Sequence, residues 1–248
     1  QIQDRIMTQV KSKILLLILT MLFFIHETSQ WCFDKMLDAG TNEDINSLNF
    51  SPNDDYLVST DDSGDVIFWD TATWTSVSSY DIGGTDAQSA VFSGDGMRIG
   101  VGFSNHNAHI LNASNFAKWF EYTVTHTKTL DVDYNDDSSR FLTCGEINGA
   151  RVWLTSNTGS YTYYSQMNSG DDVNSCVFDK FNRVIMTGKD HRMVVYTASV
   201  TPTQVINKDI GDDGKCVDVS PDGLFVITAS KGNKAFITEI SANNLIQV

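Results

Sequence analysis

Beyond residue 44, short apolar runs alternate with clusters of Asp, Asn, Ser, Gly and Pro, and the alternation itself recurs. The segments LNFSPNDDYLVST, AVFSGDGMRIGVG, VDYNDDSSRFLTC, CVFDKFNRVIMTG and VDVSPDGLFVITA share one grammar, anchored at Phe50, Phe92, Tyr134, Phe178 and Val219. The anchors stand 42, 42, 44 and 41 residues apart, a spacing characteristic of repeat architectures. The first unit predicts strands over 45–51, 56–60, 66–70 and 73–80, separated by the polar turns SPNDD and DDSGD. Inner runs such as VIFW, RVIMTG and LFVITA are apolar at consecutive positions, as expected of strands covered on both faces. Four short antiparallel strands per unit describe a propeller blade. The predicted fold is therefore all-β: a β-propeller of about five visible four-stranded blades. Two further outer strands are predicted at the margins, FDKMLDA over 33–39 and NNLIQV over 243–248. The expected account is a fragment of a seven-bladed ring; the alternative is a closed ring of five in which 33–39 completes the last blade.

These units resemble the WD-repeat (WD40) β-propeller family over about residues 33–248. SPNDD…DDSGDVIFWD and VSPDG are the closest pieces, and Trp69-Asp70 is the literal Trp-Asp pair. The equivalent third-strand position holds Leu111, Trp153, Tyr196 or Thr238 elsewhere. The family's turn aspartate is matched by Asp62 and Asp190, and weakly by Glu146. Its Gly-His pair is missing, which leaves the His–Ser/Thr–Asp–Trp network incomplete in every unit. The resemblance implies a non-enzymatic scaffold that binds other proteins, with no cofactor.

The N-terminus has a different pattern. Ile14 to Ile25 form an unbroken apolar run after Lys11 and Lys13 and before HETSQ, too short to span a bilayer but of the form of a signal peptide. Residues 1–30 are accordingly read as leader and 31–248 as the propeller domain, secreted or held in the secretory lumen. Ser29 suits the residue before a cleavage site; Glu27 does not. The leader holds three basic and two acidic residues, so its loss takes the net charge from −14 to −15. So acidic a body argues against nucleic acid or an anionic membrane surface as partner.

Candidate chemistry is sparse. Cys176 and Cys216 fall on innermost strands of adjacent units and are either a disulfide across that seam or two buried thiols; Cys32 and Cys144 have no evident partner. Asn112-Ala113-Ser114 is a glycosylation sequon at the exit of a third strand. His106 and His109 are three apart across a turn and strand, which separates the rings, so no metal is expected there. Asp131, Asp133, Asn135 and Asp137 start like a calcium loop but lack its glycine and its final glutamate. No catalytic fingerprint occurs. An extracellular propeller enzyme with a site at the channel mouth is the alternative function, and self-assembly through an unpaired terminal blade is a further expectation.

Overall fold

The computed structural model describes residues 36–240 apart from 124–125, 148 and 157–160. The chain divides into two compact units, Gln1–Asp38 and Ala39–Val248. Of the first, only 36–38 are described; they form no strand, and residue 39 likewise falls outside any strand. The outer strand expected over 33–39 is thus not formed at 36–39, and the one expected over 243–248 lies outside the described residues. Among the described residues there is no helix long and apolar enough to cross a membrane.

The second unit is built of antiparallel sheets in chain order. The first holds β1 (Ile45–Phe50), β2 (Tyr56–Asp61), β3 (Val66–Asp70) and β4 (Thr75–Tyr80). The second holds β5 (Ala87–Phe92), β6 (Arg98–Phe103), β7 (Asn107–Asn112) and β8 (Lys118–Thr123). The third holds β9 (Lys128–Tyr134), β10 (Arg140–Glu146), β11 (Ala150–Thr155) and β12 (Tyr161–Met167). The fourth holds β13 (Val173–Phe178), β14 (Arg183–Gly188), β15 (Arg192–Thr197) and β16 (Gln204–Asp209). The fifth has three described strands, β17 (Gly214–Val219), β18 (Phe225–Ser230) and β19 (Lys234–Glu239). The architecture is all-β and propeller-like.

The polar clusters fold as one recurrent turn between first and second strands. Its first residue accepts the N–H that opens the second strand: Ser51 Oγ from Tyr56, Ser93 Oγ from Arg98, Asn135 Oδ1 from Arg140, Asp179 Oδ1 from Arg183 and Ser220 Oγ from Phe225. Three residues on, the backbone enters the left-handed region at Asp54, Gly96, Ser138, Asn182 and Gly223. Most of these are residue types that tolerate this conformation, which is why dissimilar letters give one turn.

Successive sheets pack face to face, and their first strands β1, β5, β9, β13 and β17 neighbour one another in sequence. Val58, Val66 and Phe68 of the first sheet pack on Ala90, Phe92, Ile99 and Val101 of the second. Ile185, Met193 and Val195 of the fourth pack on Val217 and Val226 of the fifth. The second and fourth second strands, RIGVGF and RVIMTG, are buried along their whole length, their leading arginines included, whereas the run LFVITA, also expected to be covered on both faces, alternates between exposed and buried over Phe225–Ser230. Close approach has a further requirement at Gly145 and Gly188, where a Cβ would overlap the Lys128 and Asp172 carbonyls.

Candidate functional site

Strand pairing places the third-strand residues Trp69, Leu111, Trp153, Tyr196 and Thr238 at one equivalent position, opposite Leu57, Ile99, Phe141, Val184 and Val226. Where this residue is tryptophan, a hydroxyl stands nearby on the second strand. Trp69 Nε1 donates to Ser59 Oγ at 2.9 Å and Trp153 Nε1 to Thr143 Oγ1 at 3.2 Å, both bonds buried. Where it is Leu111 or Tyr196, the second-strand position holds Val101 or Met186. Each of these two indole N–H groups thus has its hydroxyl acceptor, without which its burial would leave an unpaired polar group; in the fifth sheet the acceptor position is kept as buried Thr228 although the third-strand residue is Thr238.

In the third sheet the relay continues. His126, fully buried, sets Nε2 3.3 Å from Thr143 Oγ1 and Nδ1 3.1 Å from the Ile147 carbonyl. A carbonyl can only accept, so Nδ1 carries the proton and Nε2 accepts from Thr143. The donors run Trp153 to Thr143 to His126 to Ile147. Burial pushes the His126 pKa down, which keeps the ring neutral as this relay requires. His126 was not singled out by sequence, since no glycine precedes it; its signal is the polar THTKT segment leading into the third repeat.

The turn residues named from the family pattern have varied roles. Asp70 Oδ1 accepts from Thr73 N–H and Oγ–H, which holds its carboxyl below the usual range. Asp62 accepts from Asn46 Nδ2. The carboxylate that organises this turn is the neighbouring Asp61, buried and accepting from Ser63, Asp65 and, through its other oxygen, Thr41. Glu146 takes the Thr127 hydroxyl, and Asp190 caps the Arg192 N–H. Burial raises the Asp190 pKa, although the backbone bond from Arg192 opposes it.

The seams carry a second polar pattern, in which a first-strand side chain caps a backbone N–H of the next sheet. Ser47 Oγ accepts from Ala90, Asp131 Oδ2 from Cys176 and Ser175 Oγ from Val217, all at equivalent positions. Two residues on, Asn49 Oδ1 accepts from Phe92 at 3.0 Å and Asp133 Oδ2 from Phe178 at 2.6 Å. Asp131 also receives the Ser89 and Ser175 hydroxyls. Desolvation drives both carboxylates upward, Asp133 to about 8, and Asp131 adds repulsion to Asp133. Both therefore belong to the seam and not to a calcium loop.

The bridge expected between Cys176 and Cys216 is not formed. Cys176 is bonded to Cys144, with Cα atoms 6.3 Å apart, and Cys216 is a free, exposed thiol. The physical reason lies in the packing: a second strand, here β10, lies against the first strand of the next sheet, β13. The same relation brings Gly102 against Val132 one seam earlier. Cys216 instead occupies the position of Ser47 and Ser175 and points to the opposite face from Cys176. Cys32 lies outside the described residues.

Residues 33–70 match the family model of the WD domain, G-beta repeat. This stretch is a WD40 repeat. The match takes in Asp61, Asp62, Trp69 and Asp70, and the repeated all-strand sheets that follow agree with a WD40-repeat propeller. No curated protein matches the chain.

In the sheet after this WD40 repeat, Asn112 sits where Asp70 sits and makes the same turn, its Oδ1 accepting from Ser114 N–H and Oγ–H at 2.9 and 2.7 Å. The sequon is thus folded in a surface turn. Beside it, a cavity of about 370 Å³ opens between the first and second sheets, lined by Ser51, Tyr56, Phe92, Met97, Asn112 and Trp119 among others. His106 and His109 serve different partners: His106 Nδ1 donates to the His126 carbonyl, while buried His109 meets the Tyr80 hydroxyl at 2.8 Å.

Proposed function

We propose that this protein is a non-enzymatic, protein-binding scaffold that works in the secretory pathway or outside the cell. The observation that carries the binding role is the WD40 repeat at 33–70, set in a run of sheets locked by apolar and hydrogen-bonded seams. WD40 domains generally bind other proteins, and rigid sheets of this kind hold their connecting loops in fixed relation, which is what a recognition surface needs.

Three features support the secretory reading. The run Ile14 to Ile25 after Lys11 and Lys13 has the form of a signal peptide, although it lies outside the described residues. The Cys144–Cys176 disulfide suits an oxidising compartment. Asn112 presents a sequon in a surface turn. The test is expression from secretory cells with the native N-terminus, followed by mass spectrometry of the medium. Glycan at Asn112, removed by Asn112→Gln, with Cys144 and Cys176 oxidised, is the expected result. A cytosolic, unglycosylated chain with both thiols reduced overturns the secretory assignment. The binding role is tested by capturing proteins from conditioned medium on the immobilised chain and reconstituting each complex from purified components. If no purified component binds at defined stoichiometry, the scaffold reading falls.

A further inference from the structure

In three of the four described seams an arginine opens the second strand and reaches across to the sheet that follows. Arg98 Nη1 donates to the Ser138 carbonyl, Arg140 Nη1 to that of Ala198 and Arg183 Nη2 to that of Ile240. The seam between the first and second sheets has Tyr56 at this place, the first residue of β2 as the arginines are of β6, β10 and β14. The Tyr56 ring stops edge-on against Phe116, with centroids 5.3 Å apart. Among the described residues its hydroxyl has no partner. Where arginines run in the other seams, this one opens into the cavity of about 370 Å³ that Tyr56 helps to line.

The rest of the lining is of two kinds. Phe92, Met97 and Trp119 give aromatic and apolar surface, and Met97 and Trp119 remain 59% and 39% exposed. The remaining wall is the sequon turn, Asn112 to Ser114. Asn112 Oδ1 is taken up by the two Ser114 donors, so Nδ2 is the polar side-chain atom left over, and it has no acceptor among the described residues. Nδ2 is the atom that an N-linked sugar is joined to. The joining forms a bond from Nδ2 to C1 of N-acetylglucosamine and breaks the C1–O bond to a lipid-pyrophosphate donor. The freed pyrophosphate oxygen keeps the bonding electrons, and one Nδ2 proton is released. A pyranose has apolar C–H faces and polar edges, which call for aromatic and apolar surface with a few convergent polar atoms.

We infer that this cavity seats the innermost sugar of a glycan on Asn112, an N-acetylglucosamine with its C–H face on Trp119 and Met97 and a polar edge at the Tyr56 hydroxyl. This rests on the secretory reading and deepens it by giving the glycan a structural part: it closes the one described seam that has no arginine. The tether selects the occupant. A sugar on Asn112 begins at the cavity wall, so its docking is intramolecular and proceeds at high effective concentration, which no free saccharide matches.

The test uses the full chain expressed behind an added secretion signal, which makes it independent of the native N-terminus. An endoglycosidase trims the glycan to its innermost sugar. The trimmed chain is compared with Asn112→Asp, which keeps the acceptor of the turn as Asp70 does. The trimmed chain is expected to melt at the higher temperature. Its sugar proton signals are expected upfield of those of a trimmed Asn-Ala-Ser glycopeptide, under the ring current of Trp119. Trp119→Ala, and Tyr56→Arg, which builds in the arginine of the other seams, each return the signals to the glycopeptide positions while the sugar stays attached. Signals that match the glycopeptide in the unmodified sequence overturn the proposal, as does a trimmed chain that melts with Asn112→Asp. An upfield shift that survives both substitutions overturns it too, and so does a chain left without sugar at Asn112 under the added signal. A chain that takes the sugar under the added signal but not under its own N-terminus overturns the secretory reading alone.

Discussion

The Cys144–Cys176 bond closes a loop with a sequence separation of 32 residues. In the chain-entropy account, tying a loop of that length restricts the unfolded chain by roughly 12 cal/mol/K, or about 3.7 kcal/mol at 25 °C. The clean perturbation is the pair Cys144→Thr with Cys176→Val, since Thr187 and Val217 occupy the same two positions in the next seam. Packing is then conserved while the covalent link is lost. Urea unfolding, followed by circular dichroism and by tryptophan fluorescence, should show the double variant weakened by about 3–4 kcal/mol. Reductant should weaken the unmodified chain by a similar amount and leave the variant unchanged. A loss under about 1 kcal/mol, or a variant that still responds to reductant, would refute the reasoning.

Four further outcomes follow from the geometry. Trp153→Phe removes the donor to Thr143 and should cost about 1–2 kcal/mol in urea unfolding. Adding Thr143→Val to Trp153→Leu, which copies the Val101–Leu111 pair of the second sheet, should cost less than the two single changes summed. Burial raises the Asp133 pKa from 3.8 to about 8, so between those values the folded state holds a proton that the unfolded chain has released. Unfolding free energy therefore falls as pH rises through this window and levels off above it; Asp133→Asn, which keeps the acceptor as Asn49 does, should flatten much of that slope in a melting-temperature series. Gly145→Ala forces a Cβ into the Lys128 carbonyl and should destabilise the chain by upwards of 2 kcal/mol in the same unfolding assay.

Strand grammar was legible because alternation and turn residues act locally: the predicted strand 56–60 is observed as Tyr56–Asp61, and 66–70 as Val66–Asp70. What escaped was whatever depends on how one repeat meets the next. Aligning repeats compares first strands with first strands, so it set Cys176 beside Cys216. The seam instead sets a second strand against the following first strand, and Cys144 is on that second strand. His126 escaped because its partners, Thr143 and Ile147, lie across the sheet with no local spacing to announce them. The repeat pattern points to Asp62, one residue away from Asp61, because it does not distinguish a side chain turned into the hairpin from one turned toward Asn46. Asp131 and Asp133 looked like ligands because strand alternation and a calcium loop both place acidic residues at every second position.

Sheets stacked in sequence behave as a linear array, in which each unit is stabilised by itself and by its neighbours. The disulfide breaks the equality of these neighbours by welding the third unit to the fourth. Sheets joined to their neighbours by side chains alone should exchange their amide hydrogens sooner and separate first under mechanical load. The welded pair should be the last to part, and only once its bond is reduced.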